Sequence, residues 1–168
     1  MLILGLDPGS LHTGYGLLQK AGTGGSPFRL VEAGRFSGPR DMALPARLAR
    51  LAAGLDELLV RHQPDVAVLE SPFFGMNARS LIVLAQARGA LLATLAARGM
   101  EIREYTPAEV KSAVTGNGRA DKEQVARMVR LLLGVADRGW PSDATDALAV
   151  ALCCAQRLKL DRLRESVR

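Results

Sequence analysis

Aromatic residues are scarce in this chain: four Phe, two Tyr and one Trp among 168 residues. With 48% of residues hydrophobic, the core must be aliphatic. There are only two cysteines, Cys153 and Cys154, adjacent in an apolar segment of helical pattern. Neighbours on a helix point in different directions and do not readily bridge, and no metal-ligand spacing surrounds them. They read as small buried hydrophobes in a reducing compartment. No basic segment precedes the first apolar run, and Asp7 interrupts that run, which argues against a signal peptide. No apolar segment reads as long enough to span a bilayer, so the expectation is a soluble, cytoplasmic protein with no membrane partner. Internal repeats and low-complexity stretches are also absent. The chain reads as one domain over 1–158, followed by a basic, frayed tail at 159–168.

What is present is positive charge. The formal net charge is +5 and the isoelectric point about 9.8, mostly through arginine. Arginine contacts phosphate in bidentate fashion, so nucleic acid is the first partner to consider.

The chain is organised around its first sixteen residues. Leu2, Ile3, Leu4 and Leu6 form an apolar run ended by Asp7 and closed by Pro8-Gly9-Ser10, the pattern of a buried strand entering a tight turn. Thr13-Gly-Tyr-Gly-Leu-Leu-Gln19 reads as a returning strand, with Gly14 and Gly16 leaving room for another molecule's backbone. Residues 28–36 give a third strand, making an antiparallel meander. Leucines 44, 48, 51, 55, 58 and 59 recur at helical spacing, and His62 at the end of that helix reads as an exposed terminal residue. Pro64-Asp-Val-Ala-Val-Leu-Glu70 repeats the opening pattern, a buried strand with an acid at its C-terminal end. Asn77 caps a long apolar helix to about Arg98, either core or subunit interface. After a strand at 101–105, Thr106-Pro-Ala-Glu109 is a capping box with Pro at the first helical position. A helix follows from about Asp121, and a last one, capped by Ser142, runs to about Leu158.

A meander followed by strand–helix alternation predicts a mixed five-stranded α/β sheet with helices on both faces, in which the first, fourth and fifth strands are parallel. Asp7 and Glu70 then share one edge, provided the first and fourth strands are neighbours. Asp143 and Asp146 share one face of the last helix. Each has an ordinary structural explanation: Asp before Pro-Gly is common turn chemistry, and Asp favours a helix's first turn.

These residues together resemble the RuvC family of crossover-junction endodeoxyribonucleases. The motifs are Leu4-Gly-Leu-Asp-Pro-Gly-Ser10 with Thr13-Gly-Tyr-Gly16, Glu70 with Phe73 beyond it, Gln86-Ala-Arg-Gly89, and Asp143-Ala-Thr-Asp-Ala-Leu-Ala149. The resemblance runs to about Leu158 and implies a ribonuclease-H-like fold. It also implies a homodimer that resolves four-way (Holliday) junctions by paired symmetric nicks, in recombination and repair, with RuvA and RuvB as branch-migration partners. Asp7, Glu70, Asp143 and Asp146 would be the catalytic acids, holding two Mg2+ ions for which Mn2+ can substitute. Phe73 would stack near the cut, and Lys111 and Lys122 would contact phosphate. Ser71 departs from the glutamine common in the family, and some relatives carry histidine at the position of Asp143.

Physical chemistry agrees with that implication. Crowded carboxylates raise one another's pKa unless a cation intervenes, and hard oxygen ligands suit magnesium. Surrounding Arg and Lys offset the repulsion between an acidic cluster and DNA. An actin-like ATPase also places Asp-x-Gly after a first strand, but it needs a second domain and this chain is too short; a Walker-type glycine loop is missing as well. A DNA-binding module without catalysis has no need of four acids. The remaining alternative is a ribonuclease-H-like nuclease acting on another nucleic acid, such as RNA–DNA hybrid.

Overall fold

The computed structural model describes residues 1–20, 27–71, 77–136 and 139–165, apart from the side chains of Lys20 and of 159–165. Ten elements follow in chain order: β1 (Leu2–Asp7), β2 (His12–Lys20), β3 (Phe28–Ser37), α1 (Leu44–His62), β4 (Val66–Glu70), α2 (Ala78–Ala97), β5 (Glu101–Tyr105), α3 (Pro107–Thr115), α4 (Lys122–Leu133) and α5 (Ser142–Glu165). The sheet order is β3-β2-β1-β4-β5. β1–β2 and β2–β3 are antiparallel, whereas β1–β4 and β4–β5 are parallel. This is the predicted mixed sheet.

Alternation along the strands divides the core into two layers. Ile3, Leu18, Val66 and Val68 face α3, α4 and α5, together with Leu148, Leu152 and Val129. Leu4, Leu6, Leu17, Ala67 and Leu69 face α1 and α2, against Leu55, Leu58, Leu91 and Leu95. Cys153 and Cys154 are free and buried in the first layer, as their composition predicts.

α5 lies directly on the sheet, and glycines make this possible. A Cβ at Gly5 would collide with the Ala147 carbonyl, and one at Gly14 with the Asp143 carbonyl. The room at Gly14 and Gly16 is therefore taken by the chain's own helix, not by another molecule, which corrects the sequence expectation. α5 starts at Ser142, with the Pro141 carbonyl accepting from the N–H groups of Ala144 and Thr145, one residue ahead of the expected Ser142 cap. It is helical to Glu165, beyond the predicted end near Leu158; residues 159–165 contain no Gly or Pro to stop it.

Two further expectations are corrected. By length and composition α2 is a helix that could cross a bilayer. It carries the charged Arg88 at mid-length, however, and Ala87, Arg88, Leu91 and Leu95 are buried against the rest of the chain. His62 is not an exposed terminal residue: Nε2 lies 2.7 Å from Glu32 Oε2, and its side chain is only 18% exposed. The other two predicted caps are as expected: Asn77 accepts from the Ser80 N–H at 3.0 Å, and Thr106 and Glu109 form the reciprocal box.

Candidate active site

Strand parity puts the first two acids together. β1 and β4 are in register as Leu6↔Leu69, so Asp7 and Glu70 are the next pair along. Neighbouring strands lie about 4.8 Å apart. Asp7 shares the side of Ile3 and Gly5, and Glu70 the side of Val66 and Val68, which in both cases is the α5 side of the sheet. Because α5 is seated on the β2 glycines by its first turn, Asp143 and Asp146 arrive at the same edge. The β1–β2 turn is held by buried Thr13, whose hydroxyl donates to the Gly9 carbonyl at 3.0 Å.

The electrostatics record this convergence. Burial pushes the Asp7 carboxyl up to about 7, and the charges of Asp146, Asp143 and Glu70 add to the rise, partly offset by Lys122. Glu70 is also raised, by burial and then by Asp146, against the opposing charges of Lys122 and Lys111. Lys122 opens α4 with Nζ 3.2 Å from Asp146 Oδ2. The Asp146 charge and that hydrogen bond hold its pKa above the ordinary lysine value. Both predicted lysines thus stand within electrostatic reach of Glu70. Among the described residues, no three acidic, histidine or cysteine side chains close on a single point as a ready-made metal cage. Phe73, with Phe74, lies outside the described residues.

Two arginines at this edge escaped the sequence reading. Arg35 of β3 reaches Asp143, with Nη1 3.7 Å from Oδ2. Arg88 of α2 is nearly buried; its Nη1 donates to the backbone carbonyl of Glu70 at 2.7 Å. Its Nη2 lies 2.7 Å from Glu104 Oε1, an ion pair whose N–H directions are not aligned for a hydrogen bond. A signal for Arg88 was available: it is the only charged residue between Ser80 and Ala97. A largely apolar cavity of about 300 Å3 adjoins the acids, bounded by Asp7, Glu70, Ser71, Leu81, Leu84 and Arg88 among others.

A mixed sheet of this order, with helices on both faces and carboxylates at the ends of its central strands, defines a ribonuclease-H-like fold. Residues 3–154 match the family model described as crossover junction endodeoxyribonuclease RuvC. A RuvC of Chloroflexus aggregans is 44% identical over 155 residues, covering 92% of this chain and 93% of that protein. One from Anaeromyxobacter sp. is 46% identical, covering 91% and 80%. The Thermus thermophilus RuvC structure superposes with a TM-score of 0.87 at 33% identity, covering 96% of this chain and 97% of that one. A second T. thermophilus RuvC structure, in complex with Holliday junction substrate, gives the same TM-score. The chain belongs to the RuvC crossover junction endodeoxyribonuclease family.

Proposed function

We propose that Asp7, Glu70, Asp143 and Asp146 hold the divalent cations with which this chain, a crossover junction endodeoxyribonuclease, hydrolyses phosphodiester bonds of four-way DNA junctions. The observation that carries this reading is the coupling at Asp7, whose carboxyl is lifted to about 7 by burial and by the three other acids. A carboxylate so disfavoured in the metal-free fold is a poor structural group and a good cation ligand. The donor set fits: four carboxylates are hard oxygen ligands of the kind Mg2+ takes, and they are numerous enough for two ions. When bound, such ions lower the pKa of an attacking water and neutralise charge on the leaving oxygen.

The chain's own groups do the rest. Lys111 and Lys122 stand beside the acids and contact backbone phosphate. Lys122 also pairs with Asp146, which keeps its ammonium group beside the acids. Arg88 fixes the peptide that carries Glu70. Phe73 stacks on an unpaired base beside the crossover, a contact of about 1–3 kcal/mol. Two identical sites are needed for paired symmetric nicks, and a homodimer supplies them. In support, α2 carries exposed Ile82 on a side away from the acid-lined cavity.

The experiment is cleavage of a synthetic four-way junction, a duplex and an RNA–DNA hybrid at equal concentration, with Mg2+, Mn2+ or chelator. Junction cleavage by paired nicks, abolished by chelator, is expected. Preferential cutting of the hybrid would overturn the substrate assignment, and undiminished cutting in chelator would overturn the metal assignment.

A further inference from the structure

The acid-bearing end of the sheet has a second concavity, of about 370 Å3, on the β2–β3 side of β1. It is lined by His12 and Ser37 at the paired ends of β2 and β3, by Gly38, Pro39 and Arg40 after β3, and by Arg50 of α1. We propose that this cleft is a binding site for a backbone phosphate of the junction arm that runs outward from the cut strand, with Arg40, Arg50 and His12 as its recognition groups. The inference rests on the nuclease reading of the acids and extends it to how the arm is held.

Position is the first argument. Asp7 pairs with Gly14, and His12 is two residues further along β2. At about 3.4 Å per residue this is roughly 7 Å beyond the acids along the strand direction. With a rise of about 3.4 Å per nucleotide, DNA whose scissile phosphate sits at Asp7 has another phosphate in range within about three nucleotides.

Charge is the second. The guanidinium groups of Arg61, Arg98, Arg103 and Arg157 are each paired with a carboxylate. Those of Arg40 and Arg50 have no such partner among the described residues, and both side chains are exposed. No carboxylate lines the cleft. An arginine with no carboxylate partner, beside a cleft that no carboxylate lines, is suited to phosphate. The nearby start of α1 has no side-chain cap and no acid in its first turn, so its helix dipole adds to the same field.

Preorganisation is the third. The Gly38 N–H donates to the Leu11 carbonyl at 2.9 Å, tying the two loops that wall the cleft. His12 Nδ1 lies 2.9 Å from Ser37 Oγ, which fixes the ring and leaves Nε2 without a partner among the described residues. Arg47 reaches the carbonyls of Arg40 and Met42 at 3.4 and 3.5 Å, bracing the loop from below. The walls are thus set before any ligand arrives, which lowers the ordering cost of binding.

The test compares wild type with the double variant Arg40→Ser/Arg50→Ser, by junction affinity over a salt series in chelator. Loss of one neutralised phosphate should weaken binding and lower the slope of log affinity against log salt by about 1. Arg40→Lys/Arg50→Lys, which keeps the charges, should recover most of the slope. A scan of junctions with one neutral methylphosphonate linkage locates the contact. One or two linkages outward from the cut should weaken wild type and have no further effect on the Ser variant. Equal affinity and slope for wild type and Ser variant, or identical methylphosphonate profiles, would overturn the proposal and leave the cleft to another anion, such as an acidic peptide. Thermal melts of all three proteins should coincide, because both side chains are exposed. If the Ser variant melts early, the methylphosphonate scan on wild type decides alone: no sensitive linkage within three nucleotides of the cut rejects the site. Failure of the nuclease reading would show separately, as wild type that does not cut junctions.

Discussion

Two carboxylates, Asp7 and Glu32, sit on opposite faces of the same meander and are treated in opposite ways. Asp7 ends a core strand among three other acids, and its carboxyl is pushed up to about 7. Glu32 lies on the α1 side of β3. Burial acts to raise its pKa, but the Tyr15 and His62 hydrogen bonds and the charge of Arg61 outweigh that and hold it below the ordinary glutamate range. Tyr15 donates to Glu32 Oε1 at 2.8 Å and stacks on Phe36 with ring centroids 4.7 Å apart. One site is fully partnered and serves the fold. The other is a cluster of acids that Lys122 only partly offsets, the arrangement that the proposed cation-binding role requires. The contrast separates structure from chemistry more cleanly than burial alone, since both carboxylates are partly buried.

The largest effect expected from breaking this contrast is at the acids. Asp7→Asn or Asp146→Asn should reduce junction cleavage by orders of magnitude while junction binding persists, because affinity comes from Arg and Lys contacts with phosphate. Cleavage rate, gel-shift affinity and thermal melt on the same preparations check this. Asp7→Asn should also raise the melting temperature of metal-free protein above pH 7, since it removes a disfavoured charge. Early melting together with lost binding would return Asp7 to a turn-forming role.

Next in size is Arg88. It touches the Glu70 carbonyl, not the reacting atoms, so it is a positioning residue. Removing a partner of a metal-ligating group typically costs about 10–100-fold in activity or metal affinity. Arg88→Met should therefore shift the Mg2+ concentration for half-maximal cleavage upward, with junction affinity in chelator little changed. A uniform loss of folded protein with an unshifted metal dependence would make Arg88 purely structural.

How much of this was legible in the sequence depends on how far each contact reaches. Asp7 and Glu70 were readable as acids ending buried strands from local patterns, and their meeting held once β1 and β4 proved to be neighbours. Asp143 and Asp146 were readable as a helical pair, but their meeting with Asp7 depends on Gly5 and Gly14 admitting α5 onto the sheet. Pattern alone read that space as room for another molecule. His62 was misread because its partner, Glu32, lies thirty residues earlier on a different element. Arg88 was overlooked as a site residue because its partner is a backbone carbonyl; its being the lone charge between Ser80 and Ala97 marks the position but not the partner. α2 was read as no membrane span although its length and hydropathy would allow one; what opposes a span is the buried charge of Arg88, whose burial hydropathy does not weigh.

The pH dependence of stability sharpens the contrast further, at a smaller scale. Asp7 has a folded pKa above its unfolded value of 3.8. Between about 4 and 7 the folded state binds more protons there, so this group makes metal-free protein less stable as pH rises through that window. Adding Mg2+ should flatten the fall, because the ionised form is then held by the cation. Melting temperature against pH, with Mg2+ and with chelator, measures the difference. Parallel curves would detach Asp7 from metal binding.

The smallest expected effect is at Glu32, and its direction is opposite. A carboxyl held below its ordinary pKa contributes stability above the unfolded value of about 4.5, and that contribution is lost as pH falls through the lowered folded value. Glu32→Gln keeps the shape but weakens two charge-assisted contacts, at Tyr15 and His62. Hydrogen bonds to charged groups contribute about 1.5–3 kcal/mol, and partial exposure of the Glu32 side chain brings the expected loss near about 1 kcal/mol. The Tyr15 hydroxyl is raised to about 12, by burial and then by Glu32 itself, so it remains a donor throughout. The deficit of the variant should be present at neutral pH and shrink as wild-type Glu32 becomes protonated in acid. Junction cleavage at saturating metal should not change, since this cluster lies on the face of the sheet away from α5. Denaturant unfolding of both proteins at neutral and acidic pH checks the first claim, and a cleavage assay checks the second. A deficit that grows in acid would mean that Glu32 is not the partnered counterpart of Asp7, and the contrast between the two faces would fail.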